Sequence, residues 1–198
     1  LKDVLPGRSG RRGSAFIRDL TVVGNQVFFA AAPSGYGAEV WVTDGTPLGT
    51  RLVRDIRRGY GSTSAVNSLI SFRGKLYFVA ADGQSGNDLW ETDGTDAGTR
   101  QVSLVSVASP ITPAAVGSNA FYFSAWGASG SELWRSDGTT AGTREVVNLT
   151  RSGSTGPRKI TVVGNQVFFV ASSDFGGGSE LHVSDGTAAG TRLVKDIW

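Results

Sequence analysis

DGTPLGTR (Asp44–Arg51) decides the fold, because it returns as DGTDAGTR (Asp93–Arg100), DGTTAGTR (Asp137–Arg144) and DGTAAGTR (Asp185–Arg192). The D, G, T, G, T and R never change, and the copies stand 49, 44 and 48 residues apart. Ahead of each lies an acid, an apolar residue and a ring: Glu39-Val40-Trp41, Asp88-Leu89-Trp90, Glu132-Leu133-Trp134 and Glu180-Leu181-His182. After each runs an alternating apolar stretch, nearly the same in LVRDI (52–56) and LVKDI (193–197). Further upstream, TVVGNQVFF occurs at Thr21–Phe29 and again, unchanged, at Thr161–Phe169. Self-similarity at such a period marks one supersecondary unit copied in tandem.

Each copy reads as four short strands. LTVVG (20–24), LISFRG (69–74), PAAVG (113–117) and ITVVG (160–164) open the units and end in turn dipeptides such as Gly24-Asn25. QVFFAA, KLYFVA, NAFYFSA and QVFFVA follow, with apolar side chains at adjacent positions, so both faces of this second strand are expected to be buried in mid-sheet. The third strand centres on the acid-apolar-ring triplet, and the DGTxxGT turn leads to a charged outer strand, TRLVRDI (50–56) in the first unit. No segment has helical periodicity. The pattern predicts an all-β chain, a β-propeller of four blades, each a four-stranded antiparallel meander of about 48 residues. The expected blades are residues 17–56, 66–105, 111–149 and 158–197 of one propeller domain covering 1–198.

Leu1-Lys2-Asp3-Val4 matches an outer strand and makes a fifth for four blades. Two readings stand: a chain cut from a longer array, or a terminal strand that completes a blade by clasping its own chain or another. The second allows self-association through the terminal outer strands; a closed four-bladed ring suits about 200 residues and is the expected form, with two chains forming a larger ring as its rival. No Met begins the chain, which suits a processed or excised form.

Composition narrows the function classes. The 28 glycines have no collagen period and belong to turns. A net charge of +2 is too small to imply a nucleic-acid partner, and no apolar run approaches the roughly 20 residues of a membrane helix. Cysteine is absent and His182 is the only histidine, so a thiol nucleophile is excluded and a triad or histidine metal cluster is hard to build. No cofactor, metal or catalytic residue is expected.

The remaining candidates each carry two readings. Asp44, Asp93, Asp137 and Asp185 fix their turns by accepting backbone N–H groups; calcium ligation needs more oxygens than one carboxylate per turn supplies. Arg51, Arg100, Arg144 and Arg192 begin the outer strands and are expected to pair with Glu39, Asp88, Glu132 and Glu180, or with the turn aspartates. Trp41, Trp90 and Trp134 are wedges between blades, or, where exposed, flat platforms for sugars. Tyr36, Asn87, Trp126 and Asp174, in the loops between second and third strands, complete a candidate glycan-binding set.

SELWRSDGTTAGTREVVNL (131–149) and SELHVSDGTAAGTRLVKDI (179–197) resemble the ELWxSDGTxAGTxLVKDI repeats of large secreted or surface proteins of bacteria, myxobacteria among them. The resemblance covers nearly the whole chain and is weakest around Pro110 and Pro113. It implies an extracellular or cell-surface setting and a binding or architectural role, with no shared catalysis. The turn is also similar to the Asp-box of sialidase-type propellers, which is structural there. The expected function is therefore a non-catalytic, lectin-like scaffold for glycans or cell-surface ligands, with a purely architectural module as its alternative.

Overall fold

The computed structural model describes residues 16–32, 37–57, 66–84, 86–103, 115–128, 130–150, 153, 155–174 and 176–197. The terminal segment Leu1–Val4 and Tyr36 lie outside the described residues. Among those described, the chain forms sixteen strands and no helix. They make four antiparallel four-stranded sheets, each in sequence order. Sheet 1 holds β1 (Arg18–Val23), β2 (Gln26–Ala31), β3 (Glu39–Thr43) and β4 (Arg51–Leu52). Sheet 2 holds β5 (Asn67–Phe72), β6 (Lys75–Ala80), β7 (Asp88–Thr92) and β8 (Arg100–Ser103). Sheet 3 holds β9 (Ala115–Val116), β10 (Phe121–Gly127), β11 (Gly130–Ser136) and β12 (Arg144–Val147). Sheet 4 holds β13 (Arg158–Val163), β14 (Gln166–Ser173), β15 (Gly176–Ser184) and β16 (Arg192–Leu193). Two compact units result, Leu1–Leu104 with sheets 1 and 2, and Val105–Trp198 with sheets 3 and 4.

Each sheet has two apolar faces, because alternate residues of a strand point to opposite sides. The register Thr21↔Phe28 and Val22↔Val27 puts Thr21, Val23 and Phe28 on what we call the forward face, and Val22, Val27 and Phe29 on the rear face. In the first unit the forward face of sheet 1 packs on the rear face of sheet 2. Val23, Phe28, Val40 and Val42 meet Leu76, Phe78, Ala80 and Trp90 in one core. The second unit repeats this: Tyr122 and Leu133 of the forward face of sheet 3 meet Ile160, Val167 and Phe169 of the rear face of sheet 4. Strands β2 and β6 are buried almost end to end, as residues with two covered faces must be.

The first strands carry a feature without a glycine signal. Asp19, Ser68 and Lys159 adopt left-handed φ of 56–58°, each at the bulge that interrupts β1, β5 and β13. A bulge re-aims neighbouring side chains; Arg18, beside Asp19, reaches the Val66 carbonyl of sheet 2 at 3.0 Å.

The outer strands are shorter than the sequence predicts. β4 and β16 pair over two residues each, where seven were expected. Arg54 leaves the sheet 1 ladder to donate to the Thr99 carbonyl of sheet 2 at 2.8 Å, and the Ile56 N–H turns back to the Glu39 carboxylate at 3.4 Å. Contact with the next sheet and with a buried acid ends the strand early.

Candidate functional site

The repeat motif closes a hydrogen-bonded circuit within each turn. Asp44 Oδ1 accepts from the Thr46 N–H at 2.9 Å and from the Thr46 hydroxyl at 2.7 Å. Thr46 Oγ1 in turn accepts from the Gly49 N–H at 2.9 Å, and the Thr50 hydroxyl donates to the Thr46 carbonyl at 2.7 Å. A hydroxyl has one hydrogen. The 2.7 Å contact between Thr43 and Thr50 is therefore donated by Thr43, whose oxygen also accepts the Gly45 N–H at 3.0 Å. Asp93, Asp137 and Asp185 sit in the same circuit, with Thr92, Ser136 and Ser184 in the place of Thr43. The threonine hydroxyl, and then its N–H, holds all four carboxyls below the usual carboxylate range.

The two glycines serve different ends. A Cβ on Gly49, Gly98, Gly142 or Gly190 would fall on the turn's own aspartate carboxylate. Gly94 and Gly186, with φ of +94° and +89°, instead meet the sheet before them. A Cβ on Gly94 would lie 3.2 Å from Phe28, and one on Gly186 2.6 Å from the Tyr122 hydroxyl. Phe28 and Tyr122 occupy one position in the repeat, so both units use the same turn-on-aromatic contact.

The arginines do not form the expected repeat-wide ion pair. Arg51 donates to the Gly94 carbonyl of the next turn at 2.6 Å, while Arg100 donates through Nε to Glu91, not Asp88, at 2.7 Å. Arg144 and Arg192 are exposed. The triplet acids are instead buried: Glu39, Asp88, Glu132 and Glu180 are 6%, 0%, 0% and 6% exposed. Gln101 donates to Asp88 at 2.8 Å, and the Thr155 hydroxyl to Glu132 at 2.7 Å. Burial, only partly offset by that hydroxyl, pushes the Glu132 carboxyl up.

Nor do the triplet rings form a row of open platforms. Trp90 is 8% exposed, lies in the core between sheets 1 and 2, and donates its indole N–H to the Ala80 carbonyl at 3.2 Å. Trp41 and Trp134 are half-buried, with their indole N–H groups enclosed. Trp41 stacks on its cross-strand partner Phe29 at 6.5 Å, and the fully buried His182 on Phe169 at 5.6 Å. Burial lowers the His182 pKa and keeps the ring neutral. Of the loop candidates, Trp126 is 53% exposed at the tip of β10, Asp174 is exposed with its N–H on the Leu149 carbonyl, and Asn87 is half-buried in the other unit.

Two polar clusters escape sequence reasoning because they occur once each. Glu91, 1% exposed on the forward face of sheet 2, accepts from Lys75 at 2.9 Å and Arg100 at 2.7 Å. Burial opposes its ionisation, but Lys75, Arg100 and Tyr77 together outweigh that and leave its carboxyl below the ordinary range. Arg135 holds the same repeat position in sheet 3 and lines a pocket of about 210 Å³ with Ser118, Asn119, Tyr122, Asn165 and Asp185. The pocket offers hydrogen bonds and one guanidinium but pairs no nucleophile with a base. Among the described residues, no three His, Asp or Glu side chains gather as metal ligands.

Neither a family model nor a curated protein sequence matches the chain. Several solved structures do. Puromycin hydrolase aligns with a TM-score of 0.58 at 16% identity over 90% of this chain and 28% of its own. The β-propeller domain of the trilobed protease from Pyrococcus furiosus aligns at 0.54 and 11%, over 95% and 56%. TolB from Acinetobacter baumannii aligns at 0.53 and 11%, over 87% and 41%. The chain thus spans about a quarter to a half of these proteins, and at such identities the likeness is one of fold: the β-propeller.

Proposed function

We propose that the chain is a non-catalytic, architectural β-propeller module with four blades, at home in a secreted or cell-surface protein of a bacterium. One observation carries this reading: the turn and triplet residues common to the repeats are engaged mainly in building the blades. The turn aspartates, threonines and hydroxyls are bonded to one another, the triplet acids are buried, and Trp90 and His182 lie inside the core. Of the repeat arginines, Arg51 and Arg100 are likewise engaged, while Arg144 and Arg192 are exposed. The extracellular setting rests on the repeat resemblance alone.

A second reading has one feature of its own. Trp126, unlike the triplet rings, presents half of its indole to solvent. A flat apolar ring of this kind is a stacking surface for a sugar, so glycan recognition, if present, is centred on the tip of β10 and not on a ring of equivalent sites.

A glycan array read with the wild-type chain and with Trp126→Ala separates the two. The architectural reading expects no glycan signal above background for either protein. Binding by the wild type that Trp126→Ala abolishes would transfer the function to the second reading.

A further inference from the structure

Sheet 3 keeps the register of sheet 1 but departs from it at one end of the forward face. Tyr122 stands opposite Arg135 as Phe28 stands opposite Val42, and Gly117 and Ala120 take the places of Val23 and Gln26. In the first unit this end is filled: Val23, Phe28 and Val42 are 8%, 1% and 0% exposed and share a core with Leu76. In the second unit a glycine replaces one valine and an arginine the other. A Cβ on Gly117 would lie 3.2 Å from the Ala120 carbonyl and 3.7 and 3.9 Å from Val162 and Tyr122. Those three residues line the pocket of about 210 Å³, so the pocket opens where sheet 1 has the side chain of Val23. Every lining residue belongs to the second unit, Val105–Trp198.

The pocket borders a cation that the fold does not pair. Arg135 Nε is buried and meets no acceptor. Among the described residues no carboxylate forms an ion pair with this guanidinium. The aspartates of the two adjoining turns are committed locally: Asp137 Oδ1 accepts from Thr139, and Asp185 Oδ1 from Thr187. Glu91, the charge at this repeat position in sheet 2, instead has Lys75 and Arg100 as partners. A buried donor without an acceptor costs stability, so an arginine where sheets 1 and 4 carry valine gains from an acceptor that a ligand brings.

The surroundings define that ligand. With Nε enclosed, the Nη nitrogens are the donors within reach, and their planar fork matches a carboxylate. Asp185 lines the same pocket and is ionised, because the hydroxyl and then the N–H of Thr187 hold it below the usual carboxylate range. One positive and one negative side chain favour a single negative charge, with a donor group turned to Asp185, over a dianion such as phosphate. Ser118, Asn119 and Asn165 add neutral donors and acceptors. The volume lies below the roughly 300–1,000 Å³ of sites for drug-sized ligands, which restricts the occupant to a small molecule.

We propose that the pocket between sheets 3 and 4 binds a small monocarboxylate bearing a hydrogen-bond donor, a hydroxy acid or an amino acid, with Arg135 anchoring the carboxylate. The site lies in what one blade does not share with the others, so it goes beyond the architectural reading and does not involve Trp126.

The probes are lactate and alanine, which differ in a hydroxyl against an ammonium. The reporter is the Nε–H NMR signal of Arg135, assigned by its loss in Arg135→Val. Either probe should move this signal saturably in the wild-type chain, the better one with half-saturation at about 1 mM or below. The tighter of the two identifies the donor that faces Asp185. Lactamide and alaninamide, which lack the carboxylate, should leave the signal in place, and propionate, which lacks the donor, should bind about fivefold more weakly or worse. Gly117→Val keeps the guanidinium but refills the space as in sheet 1, so it should abolish binding, with circular dichroism checking that the fold is retained. No saturable shift with either acid up to about 50 mM would overturn the proposal. So would equal shifts from the amides, or full binding by folded Gly117→Val. An equal shift from sulfate would mean an adventitious ion only. Failure of this binding leaves the architectural reading standing, since the glycan array tests that reading separately.

Discussion

The most specific prediction concerns Gly98, whose role is one of space. Its φ lies outside the left-handed region, yet a Cβ there would overlap the Asp93 carboxylate. In Gly98→Ala the carboxylate must swing away and lose its bonds from the Thr95 N–H and hydroxyl, at 2.9 and 2.7 Å. Hydrogen bonds to a charged acceptor can exceed this value, but Asp93 is exposed and water replaces part of the loss, so about 1 kcal/mol each is appropriate. The substitution should cost about 2 kcal/mol, a fall in Tm of about 4–8 °C for a chain of this size. Asp93→Ala removes the same two bonds and should cost about the same. The double variant is the decisive one. Without the carboxylate the new methyl has room, so the pair should cost about 2 kcal/mol and not about 4, a coupling of about 2 kcal/mol. Urea unfolding followed by tryptophan fluorescence measures all four proteins, with a common m-value as the check that only stability has changed. Additivity within about 0.5 kcal/mol would refute the account of Gly98 as the floor of the aspartate's seat.

Three further predictions address buried ionisable groups. Glu132 is pushed up by burial, so its folded form binds its proton more tightly than the unfolded form; its contribution is favourable at acid pH and is lost as pH rises from the ordinary carboxylate range through the raised folded value. Glu132→Gln should therefore raise Tm at pH 7 and leave it nearly unchanged at pH 3.5, read by thermal melts at the two pH values. Glu91 has the opposite sign: its depressed carboxyl contributes stability that is present at neutral pH and lost as pH falls through its folded value, below the ordinary range. Glu91→Gln should cost about 1–3 kcal/mol at pH 7, a range lowered because Lys75 and Arg100 are themselves partly exposed, and the loss should shrink with acid in urea titrations. His182, depressed by burial, favours the fold above its unfolded value near 6.5 and works against it as pH falls below. His182→Phe, which keeps a ring on Phe169, should flatten the stability decline between pH 7 and pH 5; an unchanged slope would place the acid sensitivity elsewhere.

Local chemistry explains what could be read from the residues and what could not. The turn circuit was legible because Asp44, Thr46, Gly49 and Thr50 lie within seven residues and satisfy one another. The strands were legible because Val27, Phe28 and Phe29 need two covered faces. The bulges at Asp19, Ser68 and Lys159 were not, since an aspartate, a serine and a lysine share no left-handed signature. The expected pairing of Arg100 with Asp88 failed for a reason of register: Asp88 and Glu91 lie on opposite faces of β7, and Arg100 stands opposite Glu91 in the ladder. Among candidate site residues, Trp90 and Trp126 were equal in sequence, and only their burial, 8% against 53%, distinguishes a core wedge from a surface. Thr43, Thr92, Ser136 and Ser184 were missed as circuit members, although a hydroxyl ahead of every aspartate was a visible signal.

The positions that vary between copies give each blade face its own chemistry. On the forward face, one site carries Val42 in sheet 1, Glu91 in sheet 2, Arg135 in sheet 3 and Val183 in sheet 4. A buried charge needs partners on its own sheet or on its neighbour. Glu91 has them in Lys75 and Arg100, whereas Arg135 takes its place at a polar pocket. Sheets 2 and 3 therefore present forward faces of individual chemistry. Sheets 1 and 4 share Thr, Val, Gln, Phe and Val at the forward positions and are interchangeable there. The rear face that accepts sheet 1 offers Leu69, Leu76, Phe78 and Trp90, and the rear face of sheet 1 carries Leu20, Val27, Phe29 and Trp41 at the same places. The same aliphatic and aromatic residues thus recur at these rear positions in both sheets of the first unit.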